Sequence, residues 1–250
     1  MGKRERLDLL LVERRLVESR EDGRRRIMAG DVLVDDRPIT KAGVLIDAGA
    51  NIRLKSVSPY VSRGGFKLEK ALREFAIDVR DKTALDIGAS TGGFTDCLLA
   101  HGAAQVIAVD VGYGQLAWKL RNDPRVVVLE KTNIRYLEPG RLPRVADIVT
   151  IDVSFISLKL VLPQVRKLVE NNGVVVALIK PQFEVGKGKV GKGGVVRSHD
   201  EHQRVIEEVK AAALGFGYDL LGVIESPLLG PKGNKEFLIH LRSGVLSDSH

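Results

Sequence analysis

The segment TALDIGASTGGFTD, residues 83–96, decides the fold that this sequence predicts. It starts as an apolar run of the kind that forms a buried parallel strand, and it reaches Asp86 where that strand should end. A turn follows that contains Gly88, Gly92 and Gly93, so the backbone can approach a ligand closely. An apolar pattern with helical spacing comes next. A strand, a glycine turn and a helix together form the first half of a nucleotide-binding unit.

The glycine spacing excludes two common phosphate-binding loops. The pattern G-x-G-x-x-G needs a glycine two places after Gly88, where Ser90 stands, and no Lys-Ser or Lys-Thr pair closes the turn. The next predicted strand ends in Asp110, and a carboxylate at that place accepts hydrogen bonds from ribose hydroxyls. We therefore expect a ligand with a ribose and no pyrophosphate, which fits S-adenosylmethionine. An ordinary strand-turn-helix with a loop aspartate is the alternative, because glycine turns alone are weak signals.

Composition sets the broad class of the protein. With 250 residues, 44% of them hydrophobic, the chain can bury a core in one large or two unequal domains. No apolar run approaches the roughly 20 residues that cross a bilayer, and no secretory signal is expected. Cys97 is the single cysteine, so we expect no internal disulfide, no cysteine-rich zinc site and a cytoplasmic location. The net charge of +7 favours a nucleic-acid partner, and a basic enzyme with another substrate is the alternative.

Residues 64–250 predict an α/β fold with a doubly wound, Rossmann-like parallel sheet. Apolar runs alternate with helical patterns there, which is typical of such sheets. The predicted strands are 83–87, 105–110, 126–129, 147–152, 173–179, 219–224 and 236–241. The predicted helices lie around 93–101, 114–121, 158–170 and 200–214, and an amphipathic helix precedes them after Arg63.

The first 57 residues predict a separate, small α+β module. Leucines at helical spacing over 5–18 predict one helix, and Ser19 with Asp22 is a capping signal for a second that ends at Gly30. Short strands follow, and residues 51–54 close the module with another. Four arginines lie on or near the second helix, where guanidinium groups can pair with phosphates. A solvated charged helix face is the alternative interpretation.

Charged residues stand at the ends of three predicted strands. Asp152 and Lys180 each follow an apolar strand, and Glu236 opens the last one. If that last strand is antiparallel to the others, its start lies at the same edge of the sheet as their ends. Lys67, on the helix before the sheet, completes a set of two lysines and two carboxylates. Taken singly, each residue could be an ordinary loop or surface charge.

Several of these segments resemble a known family. The segments GASTGGFT (88–95), VSRGGFK (61–67) and KPQFE (180–184) resemble the FtsJ-like ribose 2′-O-methyltransferases, and among them the TlyA, or hemolysin A, branch. RLDLLL (6–11), VESR (17–20) and GDVLVD (30–35) resemble the small RNA-binding domain named after ribosomal protein S4. The resemblance implies an RNA-binding domain at 1–57, a linker at 58–63 and a methyltransferase domain at 64–250.

The resemblance also implies a function and its residues. It implies methylation of ribosomal RNA at a ribose, typically of cytidine, with S-adenosylmethionine as cofactor and no metal. The implied catalytic tetrad is Lys67, Asp152, Lys180 and Glu236. The implied cofactor-binding residues are Asp86, Gly88, Ala89, Ser90, Thr91, Gly92, Gly93, Phe94, Thr95, Asp110 and Val111. The expected RNA-binding residues are Arg6, Arg20, Arg24, Arg25, Arg26, Arg63, Lys187, Lys189 and Lys192, the last three on a glycine-rich loop.

The chemistry of the tetrad is reasonable for this reaction. A ribose hydroxyl is a poor nucleophile until its proton is removed or strongly polarised. A lysine normally carries its proton at neutral pH, so Lys180 can act as a base only if burial and a neighbouring cation such as Lys67 favour its neutral form. Asp152 would orient Lys180, and Glu236 would hold the lysines and the ribose. A catalytically inert RNA-binding protein with this fold and a membrane-lysing hemolysin stay open as alternatives, and so does the oligomeric state.

Overall fold

The chain divides into two units, residues 1–59 and 60–250, which are described separately. The computed structural model describes residues 4–54, 59–186, 191 and 193–244. Among these residues, no helix has the length and apolar character needed to cross a membrane. The loop lysines Lys187, Lys189 and Lys192 lie outside the described residues.

The N-terminal unit is a small α+β module. Its elements are β1 (Arg4–Arg6), α1 (Leu7–Glu13), α2 (Arg20–Met28), β2 (Val32–Val34), β3 (Arg37–Ile39), β4 (Leu45–Asp47) and β5 (Ile52–Leu54). Strand β1 pairs with β4, while β2 lies between β3 and β5. The predicted capping signal is present, because the Ser19 hydroxyl accepts a hydrogen bond from the Asp22 amide at 3.1 Å. The first helix is shorter than the predicted 5–18, since Arg15 has a φ of 55° that no helix continues through.

A seven-stranded sheet forms the centre of the C-terminal unit in the part of the chain that is described. Its strands are β6 (Thr83–Ile87), β7 (Gln105–Val109), β8 (Val126–Leu129), β9 (Ala146–Ile151), β10 (Val169–Ile179), β11 (Tyr218–Glu225) and β12 (Phe237–Ser243). Their order is β11-β12-β10-β9-β6-β7-β8. Strands β6 to β10 pair in parallel, and β12 is antiparallel to both of its neighbours. The predicted α/β fold class is confirmed. Because the last strand is antiparallel, Glu236 at its start lies at the edge where the parallel strands end.

Helices cover both faces of this sheet. They are α3 (Gly64–Glu74), α4 (Gly93–Ala100), α5 (Trp118–Arg121), α6 (Leu162–Val165), α7 (Pro181–Glu184) and α8 (His199–Gly215). Alternate residues of each strand enter different cores, because successive side chains point to opposite faces. Leu85 and Ile87 pack with residues of α6 and α8, whereas Ala84 packs with residues of α3 and α4. Burial on both faces explains why these strands read as continuous apolar runs.

Two predicted helices were too long. Only Trp118–Arg121 of the predicted 114–121 is helical, because Ala117 has an extended backbone. The predicted helix 158–170 is instead a 3-10 turn at Leu158–Leu160, the short α6 and a turn, after which β10 already begins at Val169. Periodicity did not distinguish the start of that strand from a helix end, since both are apolar on the buried side.

Candidate active site

The carboxyl edge of the parallel strands collects the charged residues that the sequence singled out. Asp110, Asp152 and Lys180 follow directly after β7, β9 and β10. Glu236 comes one residue before β12, and the antiparallel direction of that strand brings its start to the same edge. In open α/β sheets this edge is where ligands bind.

Lys180 and Asp152 form an ion pair at this edge. The Lys180 Nζ lies 2.6 Å from the Asp152 Oδ1 and donates a hydrogen bond to the Ser154 Oγ at 2.9 Å. The side chain of Lys180 is only 9% exposed, so its position is held by packing as well as by these two partners. The contact with Asp152 is an ion pair, and the contact with Ser154 is a hydrogen bond.

Lys67 and Glu236 form a second pair across 169 residues of chain. The Lys67 Nζ donates to the Glu236 Oε2 at 2.6 Å, and the Glu236 side chain is fully buried. The other carboxylate oxygen, Oε1, is buried without a hydrogen-bond partner among the described residues. Gly230 packs directly against it, since an added Cβ would lie 2.0 Å from that oxygen. A buried carboxylate is costly unless it is paired, so Lys67 stabilises Glu236 at this place.

A cleft of about 500 Å³ opens between these two pairs and the glycine turn. Lys67, Asp152, Ser154 and Lys180 line it, together with the turn and the loop at 229–232. Gly88 forms its floor with a φ of +81°, and an added Cβ would lie 2.6 Å from the Asp152 carbonyl oxygen. Only glycine therefore fits where the turn passes under the strand end that carries Asp152.

A second cleft of about 420 Å³ lies on the other side of the glycine turn, beside Asp110. The Asp110 carboxylate accepts hydrogen bonds from the Ser90 amide at 2.8 Å and the Gly112 amide at 2.7 Å. Val111, Asn133 and other residues after β7, β8 and β9 line this cleft. A carboxylate at the mouth of an apolar cleft next to a glycine turn fits the ribose and base of an adenosyl group.

Asp86 is buried beneath the turn and lines neither cleft. Its carboxylate accepts hydrogen bonds from the Thr95 hydroxyl at 2.7 Å and the Thr150 hydroxyl at 3.0 Å. Burial raises the pKa of Asp86 to about 6, and the two threonine hydrogen bonds oppose part of that shift. In this structure Asp86 joins β6, β9 and α4 behind the turn.

The structure brings most of the predicted catalytic and cofactor-binding residues to the two clefts, together with Arg63 from the predicted RNA-binding set. Those that line at least one cleft are Arg63, Lys67, Gly88, Ala89, Ser90, Thr91, Gly93, Phe94, Asp110, Val111, Asp152 and Lys180. Of the predicted catalytic and cofactor-binding residues, those that line neither are Asp86, Gly92, Thr95 and Glu236, the last of which contacts Lys67. Gly92 caps α4 with a φ of +96°. Sequence reasoning missed Ser154, whose only signal is its place two residues after Asp152.

The arginines of the N-terminal unit are partly held by carboxylates. Arg6 and Arg20 both donate to the buried Asp8, each with an Nε···O distance of 2.9 Å. These arginines lower the pKa of Asp8 to about 2, against the opposing effect of burial. Arg25 and Arg26 pair with Asp22. A groove of about 540 Å³ on this unit is lined by Arg20, Glu21, Arg24, Arg25 and Met28.

Comparison with known proteins identifies the class to which this fold and site belong. Residues 60–243 match the FtsJ-like methyltransferases, and residues 5–52 match the S4 domain. The chain is 52% identical to the Bacillus subtilis protein YqxC, covering 96% of this chain and 86% of that protein. It is 47% identical to the Mycobacterium tuberculosis protein named 16S/23S rRNA (cytidine-2′-O)-methyltransferase TlyA, covering 97% and 91%.

A solved structure from Streptococcus thermophilus, described as a candidate hemolysin, also resembles this chain. It matches with a TM-score of 0.76 and 46% identity over 98% of this chain and 90% of that one. The chain belongs to the family of FtsJ-like methyltransferases, and specifically to the group with an N-terminal S4 domain that includes TlyA and YqxC.

Proposed function

We propose that this protein methylates the ribose 2′-hydroxyl of a cytidine in ribosomal RNA, with S-adenosylmethionine as the methyl donor. One observation carries the proposal: two lysine–carboxylate pairs meet at the edge of the sheet, beside a glycine turn and a cleft with Asp110. The name of the relative from Mycobacterium tuberculosis states this reaction for that protein.

The cofactor fits the residues at the glycine turn. When bound, S-adenosylmethionine supplies a methyl group on a positively charged sulfur. Asp110 would accept hydrogen bonds from its ribose, beside a turn whose close passage to the Asp152 backbone requires glycine at position 88. Val111 and Asn133 would flank the base in the second cleft. The other cleft, which Lys67, Asp152 and Lys180 line, is then left for the RNA ribose.

Lys180 is the residue that would take the hydroxyl proton. The Ser154 hydroxyl accepts one hydrogen bond from its Nζ, and the Asp152 carboxylate lies against the nitrogen as an ion-pair partner. A neutral amine carries one lone pair, which can accept the proton of a substrate hydroxyl. Holding the nitrogen in one place matters, because correct positioning alone can supply about 7–11 kcal/mol in aligned transfers.

Lys67 and Glu236 would organise the opposite side of the cleft. Lys67 lines the cleft and brings a positive charge to it. Glu236 holds Lys67 from behind, with its own carboxylate out of solvent. The cation also favours a developing negative charge on the ribose oxygen.

The N-terminal unit supplies a surface for RNA. Its groove carries three arginines, which bind phosphates well because the planar guanidinium donates several hydrogen bonds. We propose ribosomal RNA within ribosomal subunits as the partner and the cytoplasm as the location. These assignments follow from the proposed substrate.

The test is to map the methyl group. The full chain is incubated with labelled S-adenosylmethionine and each ribosomal subunit, and the RNA is then cleaved in alkali. A 2′-O-methyl group blocks cleavage at its own nucleotide, so we expect one labelled, alkali-resistant position at a cytidine. A label on a base contradicts the proposal. RNA binding without any transfer supports the inert RNA-binding alternative, and leakage of liposomes without transfer supports the lysing one.

A further inference from the structure

Two segments at the catalytic edge are held together at both ends. Residues 152–157 follow β9, and residues 180–184 follow β10 and include α7. At the first end, the Lys180 Nζ contacts the Asp152 and Ser154 side chains. At the second end, four residues beyond Lys180, Glu184 contacts the far end of the other segment. The geometry of the Lys180 pair therefore depends on two connections.

Glu184 makes the second connection with both carboxylate oxygens. The Ser157 hydroxyl donates to its Oε2 at 2.5 Å, and the Leu158 amide donates to its Oε1 at 2.7 Å. Glu184 is only 8% exposed. Burial raises the pKa of Glu184 above its ordinary value, and these two hydrogen bonds counter part of the shift. A carboxylate placed in the interior at such a cost, with both oxygens used, holds its partners firmly.

The segment that Glu184 holds has a strained backbone. Phe155 lies between Ser154 and Ser157 with a φ of 63°, a left-handed conformation that bulky residues rarely adopt. Its side chain is 90% exposed, so burial of that ring does not repay the strain. Phe155 contacts Phe183 with a ring distance of 4.9 Å, which joins the same two segments at their middle. Such conformations persist only when surrounding contacts determine them.

We propose that Glu184 is a positioning residue for the methyl transfer: by holding Ser157 and Leu158, it keeps Asp152 and Ser154 at the hydrogen-bonding distance that orients Lys180. This role rests on the proposed function. Glu184 itself lines neither cleft, so it acts through the segment and not on a substrate. Without it, the segment relaxes at Phe155, and the Lys180 nitrogen loses the two partners that fix its direction.

The main test replaces Glu184 and separates turnover from binding. For Glu184→Ala we expect kcat to fall about 10- to 100-fold, the cost of a small misplacement of catalytic groups. The dissociation constant for RNA should stay within about twofold of wild type, because the N-terminal groove is untouched. The dissociation constant for S-adenosylmethionine should rise by a smaller factor than kcat falls, because residues outside the segment, Asp110 among them, also line its cleft. Ser157→Ala removes one of the two hydrogen bonds and should lower kcat by less.

Three control variants distinguish positioning from general stability. Glu184→Gln keeps the shape, and its amide can accept from Leu158 and donate to Ser157, so it should regain most of the lost kcat. Leu168→Ala removes a fully buried side chain away from the clefts. It should lower the melting temperature, but kcat measured at temperatures where the variant is folded should equal that of wild type. Glu201→Ala removes a surface ion-pair partner of Arg204 and should change neither the melting temperature nor kcat.

Hydrogen exchange gives a readout that does not need activity. The Leu158 amide donates to Glu184, so its exchange should accelerate in Glu184→Ala while strands β9 and β10 stay protected. Unchanged exchange at Leu158, or a kcat loss that Leu168→Ala reproduces at equal destabilisation, would overturn the proposal. If wild-type protein transfers no methyl group, the proposed function fails, and the exchange measurement still decides whether Glu184 holds the segment.

Discussion

At the scale of single residues, the buried carboxylate of Asp86 under the glycine turn links stability to pH. Its pKa of about 6 lies above the ordinary value of 3.8, so the folded protein binds this proton more tightly than the unfolded chain. The contribution of Asp86 to the free energy of unfolding is therefore largest below pH 4, and it declines as the pH rises from about 4 to 6. A shift of this size corresponds to about 3 kcal/mol.

Asp86→Asn removes this titration and keeps a similar shape. We expect the free energy of unfolding of the variant, relative to wild type, to rise by up to about 3 kcal/mol between pH 4 and pH 7. The loss of one threonine hydrogen bond adds a constant cost of about 1 kcal/mol at both pH values. Urea unfolding of both proteins at pH 4 and pH 7, followed by circular dichroism, measures the pH-dependent difference and the constant cost. A difference between the two proteins that is the same at pH 4 and pH 7 would contradict this account.

Much of the site could be predicted from residue patterns, and part could not. Glycine turns and charged strand ends are local features, so the turn and the positions of Asp152 and Lys180 were visible in the sequence. Lys67 and Glu236 meet only because β12 runs antiparallel, which the sequence left as a condition. The contact of Glu184 with Ser157 and Leu158 joins two loops, and no spacing along the chain indicates it.

At the scale of secondary structure, local signals succeeded where capping or a glycine set the boundary. Helix α2 begins after Ser19 as predicted, because its hydroxyl satisfies an amide that would otherwise lack a partner. The helices predicted at 114–121 and 158–170 failed, because apolar spacing alone does not end a helix. Pro163 in the first turn of α6 starts a short helix, and the chain turns away again before β10.

The Ser19 cap gives a prediction for the N-terminal unit. Ser19→Ala should destabilise α2 by about 1 kcal/mol, which hydrogen exchange of residues 20–28 in the full chain measures. Ser19→Asp is the matched control, since aspartate also accepts the amide hydrogen bond and its charge favours the start of a helix. Equal exchange in wild type and Ser19→Ala would show that tertiary packing, and not the cap, determines this helix end.

At the scale of the whole molecule, the proposal divides RNA binding and chemistry between two units. Arg24 lines the arginine groove of the N-terminal unit, and its side chain is exposed without a carboxylate partner among the described residues. Arg24→Glu should weaken RNA binding and reduce the slope of affinity against salt by about 1, because a phosphate contact is lost. Affinity for S-adenosylmethionine should not change.

Arg80→Glu is the control for this change. It alters the net charge by the same amount, and Arg80 lies just before β6, at the opposite edge of the sheet from the clefts, where it pairs with Asp78. We expect its RNA affinity to stay near that of wild type in a filter-binding assay. Equal weakening by both variants would mean that net charge, and not the arginine groove, determines binding.

The central claim, that Lys180 takes the proton of a ribose hydroxyl, is tested most directly by methyl transfer to ribosomal subunits with Lys180→Met. Methionine keeps an unbranched side chain that is one atom shorter and lacks the nitrogen, and Lys210→Met on the surface of α8 serves as the control. We expect Lys180→Met to lose at least about a thousandfold in kcat, within the range of a general base together with its positioning. S-adenosylmethionine and RNA should still bind, and Lys210→Met should be fully active. Transfer by Lys180→Met at the wild-type rate would contradict the account.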